Sequence, residues 1–145
     1  EKKMVGMIVT GHGSFATGIT SGLRLLAGEP ENYEAVNFTP EDSVDTLTEK
    51  LTAALERLAG WDGIVIFADL TGGSPFNVSL RLKLSRQEPI EVIGGANLPA
   101  VIEAFMSSKF QESAETLAES ALEAGKNAMI RYAGVPDGDD ECEEE

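Results

Sequence analysis

Apolar residues fall along this chain in two alternating rhythms. Short runs rich in Val, Ile and Phe alternate with longer stretches where Leu, Ile or Val recurs every three or four positions. The first rhythm predicts strands and the second predicts helices, because side chains alternate faces on a strand and share a face at helical spacing. Residues 4–9 form an apolar run that ends in Thr10-Gly11-His12-Gly13, a strand followed by a turn. From Phe15 onward, Ile19, Leu23 and Leu26 mark a helix that Gly28 closes. Residues 34–38 predict a second strand. Val44, Leu47, Leu51, Leu55 and Leu58 mark an amphipathic helix that Asp42 or Ser43 can cap and Gly60 ends.

The most apolar stretch is residues 63–68, which predicts a central strand buried on both faces. It runs into Asp69-Leu70-Thr71-Gly72-Gly73-Ser74-Pro75. Pro75 suits the first turn of a helix, with Ser74 as its N-cap, and that helix should reach about Ser85. Residues 90–93 predict a fourth strand, ending in Gly94-Gly95-Ala96-Asn97, and Pro99 opens a short helix through Met106. Ala114, Leu117, Ala118, Ala121 and Leu122 predict a last helix stopped by Gly125, and residues 128–132 a final strand. Strands alternating with helices call for an α/β fold, a doubly wound three-layer sandwich with a mainly parallel sheet. No repeat or linker divides it. One domain should span residues 1–132, and residues 133–145 should be an acidic, disordered tail.

Charge narrows the class. The 145 residues carry a formal charge of -14, unevenly placed: residues 137–145 hold seven acids and no base. The remainder is a moderately acidic body. Nucleic acid and anionic membrane surfaces, which need basic faces, are excluded as partners. Cys142, the only cysteine, sits among acids that blunt a thiol. No apolar run approaches a membrane span and no signal peptide is evident, so a cytoplasmic location is expected.

Candidate chemistry follows from topology. In open parallel sheets, sites form beyond the carboxyl ends of the strands. Those ends carry His12, Asp69 and Asn97. If the first and third strands are neighbours, His12 and Asp69 face each other. A carboxylate on one imidazole nitrogen fixes the tautomer and makes the other a better nucleophile. Gly72, Gly73 and Ser74 at a helix start would offer free N–H groups and a hydroxyl to an anion. Each residue also has a plain structural reading: a loop histidine, an aspartate N-cap, a tight Gly-Gly turn. Gly94-Gly95 and Asn97 read as turn and cap, because Pro99 follows. One histidine and one cysteine do not make a conventional zinc site. There is no Walker A sequence and no nucleophile elbow. A histidine phosphatase would place arginine where Gly11 stands.

At these residues the sequence resembles the enzyme IIA component of the mannose family of the bacterial phosphoenolpyruvate-dependent sugar phosphotransferase system. Three segments in order carry the likeness: Thr10-Gly11-His12-Gly13 with Ala16; residues 64–68 followed by Asp69-Leu70-Thr71-Gly72-Gly73-Ser74-Pro75-Phe76-Asn77; and Val92-Ile93-Gly94-Gly95-Ala96-Asn97-Leu98-Pro99. The resemblance implies that His12 accepts a phosphoryl group from the phosphorylated histidine phosphocarrier protein. It then passes the group to the enzyme IIB component, which serves the membrane sugar permease. Asp69 would orient His12, and Gly73 and Ser74 would fall in the phosphate-binding loop. No metal or small-molecule cofactor is implied. The family also forms homodimers in which an antiparallel C-terminal edge strand, here residues 128–132, is exchanged. Thr71 stands where some members carry an aromatic residue, and the acidic tail lies outside the pattern. No IIB-like domain follows, so the acceptor is expected as a separate chain. Two alternatives use the same residues: the phosphoryl-donor subunit of a dihydroxyacetone kinase, and a regulatory module that senses phosphorylation without onward transfer.

Overall fold

The computed structural model describes residues 4–110 and 113–134. Strand β1 (Val5–His12) leads into helix α1 (Phe15–Ala27), β2 (Tyr33–Phe38) into α2 (Val44–Arg57), and β3 (Gly63–Ala68) into α3 (Ser74–Ser85). Then β4 (Ile90–Ile93) leads into α4 (Leu98–Ser107) and α5 (Ala114–Ala128). The sheet has the order β2-β1-β3-β4, and every pairing is parallel. All six residues of β3 are buried, as is β1 up to Gly11. That is why both read as unbroken apolar runs instead of alternating ones.

The alternation of side chains across the sheet divides the core in two. Val5, Met7, Val9, Val65 and Phe67 pack under α1, α4 and α5. Ile8, Ile64, Ile66 and Ile90 pack under α2 and α3. The doubly wound three-layer reading of the sequence is therefore what the chain forms. Among the described residues, no helix is long and apolar enough to cross a membrane.

Caps set the helix starts. Ser43 Oγ accepts from the Thr46 N–H at 3.1 Å, Asn97 Oδ1 from Ala100 at 3.0 Å, and Ser113 Oγ from Thr116 at 3.1 Å. Each satisfies a first-turn donor that the helix itself leaves free. Four expectations change. The N-cap of α3 is Gly73, with no side-chain cap, and Ser74 is already helical. Helix α2 ends at Arg57, before Gly60. Gly125 does not stop α5, which runs on to Ala128. A Cβ at 125 would lie 2.9 Å from the Ala100 Cβ and 2.9 Å from Asn97 Oδ1, so the glycine serves close packing of α5 on α4 and not termination.

The fourth change is the final strand. Ala128 is the last residue of α5, and residues 129–134 belong to no strand. Met129 turns to extended backbone, φ -92° and ψ 101°, but no strand among the described residues pairs with it. A strand needs a hydrogen-bonded neighbour, and the described residues do not supply one. Met129, Ile130 and Tyr132 are left exposed. Residues 135–145, including Cys142 and the acidic run, lie outside the described residues.

One ion pair ties the β2–α2 turn. Asp42 accepts from the Thr39 N–H at 2.8 Å, the Thr39 hydroxyl at 2.9 Å and Lys50 Nζ at 2.9 Å. The Thr39 amide and then Lys50 hold its carboxyl down at about 2, from 3.8. A pKa depressed by folding adds stability above the unfolded value that is lost as pH falls toward the folded one. The difference in urea midpoint between the native chain and Asp42→Asn is therefore expected to be constant above about pH 4.5 and to shrink between about pH 4 and pH 2.

Candidate functional site

Parallel pairing of β1 with β3 sets Thr10 opposite Ala68. The next residues beyond that pair bring His12 and Asp69 together at the carboxyl edge. His12 Nδ1 stands 3.0 Å from Asp69 Oδ2 and 3.3 Å from Oδ1, and the His12 backbone N–H donates to the same Oδ2 at 2.9 Å. One carboxylate thus holds both the main chain and the ring of one residue. Ionised Asp69 can only accept, which assigns the proton to Nδ1 and leaves the lone pair on Nε2. The His12 side chain is 46% exposed and that of Asp69 16%, so the imidazole faces outward from an anchored carboxylate.

Gly73 stands against the same ring. A Cβ there would lie 2.8 Å from His12 Cε1 and 3.4 Å from Nε2. The backbone of this turn therefore reaches Nε2 as only glycine allows. Gly72 has φ +89°, which makes the turn. The Gly73 N–H donates to the Leu70 carbonyl at 3.1 Å, and Asn77 Nδ2 donates to the Gly72 carbonyl at 2.9 Å. These bonds hold the loop while the first turn of α3 begins beside Nε2. Ser74 is the first residue of α3, directly after the Gly73 N-cap. All five residues expected at the site, His12, Asp69, Gly72, Gly73 and Ser74, are on these two adjoining loops.

Asn97 is not among them. It caps α4 and its Nδ2 donates to the Gly125 carbonyl at 3.1 Å. Gly94 is more than a turn former: a Cβ there would collide with Thr71, so the β4–α4 loop packs directly on the loop that carries Gly72 and Gly73. Gly94 also lines a cavity of about 450 Å³ with Ile93, Asn97, Leu122, Lys126 and Met129, away from the imidazole.

Three further residues shape the site, and the sequence reading gave none of them a structural role there. A Cβ at Gly11 would lie 2.8 Å from the Asp69 Cγ and 2.6 Å from Phe15 Cδ2. Glycine there lets the carboxylate close on the His12 amide while the Phe15 ring covers the space. Phe38 packs edge-on against the His12 ring, centroids 5.8 Å apart at 64°, and its carbonyl accepts from the Gly13 N–H at 2.7 Å. An edge-on aromatic contact restricts how the imidazole can turn. Phe38 became visible only once β1 and β2 were paired, because the register sets it opposite His12. Among the described residues, no three His, Cys, Asp or Glu side chains cluster to hold a metal ion.

Comparison with known proteins agrees with this geometry. Residues 6–122 match the family EIIA-man, described as the PTS system fructose IIA component. The chain belongs to this phosphotransferase-system enzyme IIA family. It is 32% identical over 132 residues to the mannose-specific EIIAB component of Escherichia coli K12, covering 91% of this chain and 41% of that protein. The chain thus spans about two fifths of the length of that relative. The mannose/sorbose-specific IIA subunit from Enterococcus faecalis superimposes with a TM-score of 0.81 at 27% identity, covering 94% of this chain and 98% of that one. The EIIA component from Streptococcus agalactiae gives 0.81 at 29% identity, covering 88% and 97%. Family members are phosphotransferase components of sugar uptake, and phosphoryl carriage is the role this kinship supports.

The contact of Gly73 with the ring can be tested directly. Gly73→Ala should fold normally yet slow phosphorylation of His12 by at least about tenfold, because the added methyl displaces Cε1 and fills the approach to Nε2. Near-native thermal melting alongside a single-turnover labelling assay separates the two effects.

Proposed function

We propose that His12 Nε2 accepts the phosphoryl group of the phosphorylated histidine phosphocarrier protein and hands it to an enzyme IIB component. The observation that carries this is the division of labour across one imidazole: Nδ1 is held by Asp69 while Nε2 faces Gly73 and the start of α3. Backbone N–H groups and the helix dipole there suit a dianionic phosphoryl group, and the Ser74 hydroxyl can add a donor.

The transfer balances without a cofactor. The donor's N–P bond breaks as the Nε2–P bond forms, in line. The donor, protonated on its other ring nitrogen, leaves as neutral imidazole. The His12 ring keeps its Nδ1 proton and takes on the positive charge that accompanies the phosphoryl group. Asp69, already in place, compensates that charge. Passage to the acceptor is the same step reversed, so the protein need only position and stabilise. A protonated His12 has no free lone pair and cannot attack.

The same family reading supports a homodimer that exchanges residues 128–132. The exposed, extended Met129 and the open edge of β4 beside the cavity it lines are in keeping with that. Removal of residues from 129 onward is expected to convert a dimer into a monomer by sedimentation.

Incubation with phosphoenolpyruvate, enzyme I and the phosphocarrier should place acid-labile, base-stable phosphate on the chain. His12→Ala should take up none, and Asp69→Asn should slow uptake on the order of a hundredfold. Label on His12→Ala would overturn the assignment. Onward transfer to a IIB protein, and not to a dihydroxyacetone kinase, would place the chain in sugar uptake. Binding without onward transfer would mark a regulatory module instead.

A further inference from the structure

Among the described residues, only His12 bonds to the Asp69 carboxylate. A largely buried carboxylate gains hydration by swinging outward, so packing must keep it in place. The alternation of side chains shows where that packing lies. Val9 and Phe67 face the layer of α1, α4 and α5, and Ile8 faces that of α2 and α3. Two residues past Val9 and Phe67, Gly11 and Asp69 continue the first face. His12 continues the second, where its ring meets Gly73 at the start of α3. Carboxylate and imidazole thus set out from opposite faces of the sheet and meet at the end of β1. The Cβ position that Gly11 leaves vacant marks the meeting place. Asp69 Cγ stands 2.8 Å from it, and Phe15 Cδ2 and Cβ stand 2.6 and 2.9 Å from it. The half-buried Phe15 ring, at the first turn of α1 and packed on the core beneath, therefore lies against the space that the carboxylate occupies.

We propose that Phe15 is a positioning residue for His12: its ring walls in the Asp69 carboxylate beside Gly11 and thereby holds the imidazole in the Nδ1–H tautomer. The consequence for transfer rests on the carrier reading; the tautomer itself does not. A neutral imidazole free in water favours the Nε2–H form, which has no lone pair on Nε2 with which to attack. Asp69 reverses that preference by accepting from Nδ1. It does so only while its oxygens stay beside the ring. Water admitted at the carboxylate competes with the imidazole for the same lone pairs. A phenyl ring excludes water and offers no donor of its own, so it adds no competitor for Asp69. The two aromatic neighbours then divide the work. Phe38, edge-on to the imidazole, limits how the ring turns, and Phe15 limits how the carboxylate does. If Phe15 had only a share in the core, its loss would lower stability and leave the imidazole unchanged.

His12 is the only histidine of the chain, so one isotopically labelled imidazole reports the tautomer by nitrogen resonance without further assignment. At about pH 9, well above the ordinary histidine range, the native ring is expected to be almost wholly Nδ1–H. Phe15→Ala should give a mixture with at least about a third Nε2–H. It should also slow single-turnover labelling about tenfold. The loss should be the same from phosphorylated phosphocarrier and from phosphoramidate, a small donor that needs no docking. KM for the protein donor should move less than about twofold, because the ring acts on His12 and not on the donor. In an Asp69→Asn background, Phe15→Ala should cost less than about twofold more, since two residues acting through one contact are not additive. Phe15→Leu keeps part of the wall and should give an intermediate mixture and about a threefold loss; it carries the test if the alanine variant does not fold. A native tautomer in whichever variant folds overturns the proposal, as does a fully additive loss with Asp69→Asn. A raised KM for the protein donor, with phosphoramidate labelling unchanged, marks Phe15 as a donor contact and overturns it too. If the native chain takes label from neither donor, the carrier reading falls and the tautomer spectrum alone decides the role of Phe15.

Discussion

Asp69 reaches His12 because β1 and β3 are parallel neighbours in a register that pairs Thr10 with Ala68. Slide that register by one residue and the two side chains part, and every side chain of β1 also changes face. The hydrophobic effect forbids the slide: Val5, Met7 and Val9 must meet one layer of helices, and Ile8 the other. Core packing and site geometry are therefore fixed by a single constraint. The carboxylate then tightens it locally, bridging strand ends through the His12 amide as well as the ring. The exposed end of a strand is normally where a sheet frays. Here it is pinned by the group that does the orienting.

Much of this was legible in the residue pattern. Strands and helices announced themselves because both faces of the sheet are covered, so β1 and β3 are continuous apolar runs and the helices carry clear stripes. His12, Asp69 and the Gly72–Gly73–Ser74 turn were legible because the strand-end rule ties chemistry to chain position. What escaped was what depends on contacts between segments distant in sequence. Gly125 looked like a stop because glycine commonly ends helices. Its actual role is set by Ala100 and Asn97 on another helix. Gly11, Phe15 and Phe38 are invisible as a group until β1, β2 and β3 lie side by side. Residues 128–132 have the composition of a strand, but a strand is a relation between two segments, and no described segment pairs with them.

Glycine plays two separate parts at the site. At Gly72 it supplies a backbone conformation that L side chains rarely adopt. At Gly11, Gly73 and Gly94 it supplies absence: a side chain would occupy space already taken by Asp69, His12 or Thr71. Those three positions let Asp69, His12 and the Thr71–Gly73 loop come into direct contact. The half-buried rings of Phe15 and Phe38 complete the site from the sides. The result is a rigid platform carrying one outward-facing nitrogen, consistent with a family whose work is handing on a group rather than transforming one.

The double hold of Asp69 on His12 also bears on what such a protein can communicate. Its carboxylate already stands against the ring that the proposed function would load, so the orienting contact is in place before any phosphoryl group arrives. On the proposed reading the phosphoryl group would sit on the exposed side of an imidazole held from behind, so a protein that reads the loaded state would meet it at His12 itself.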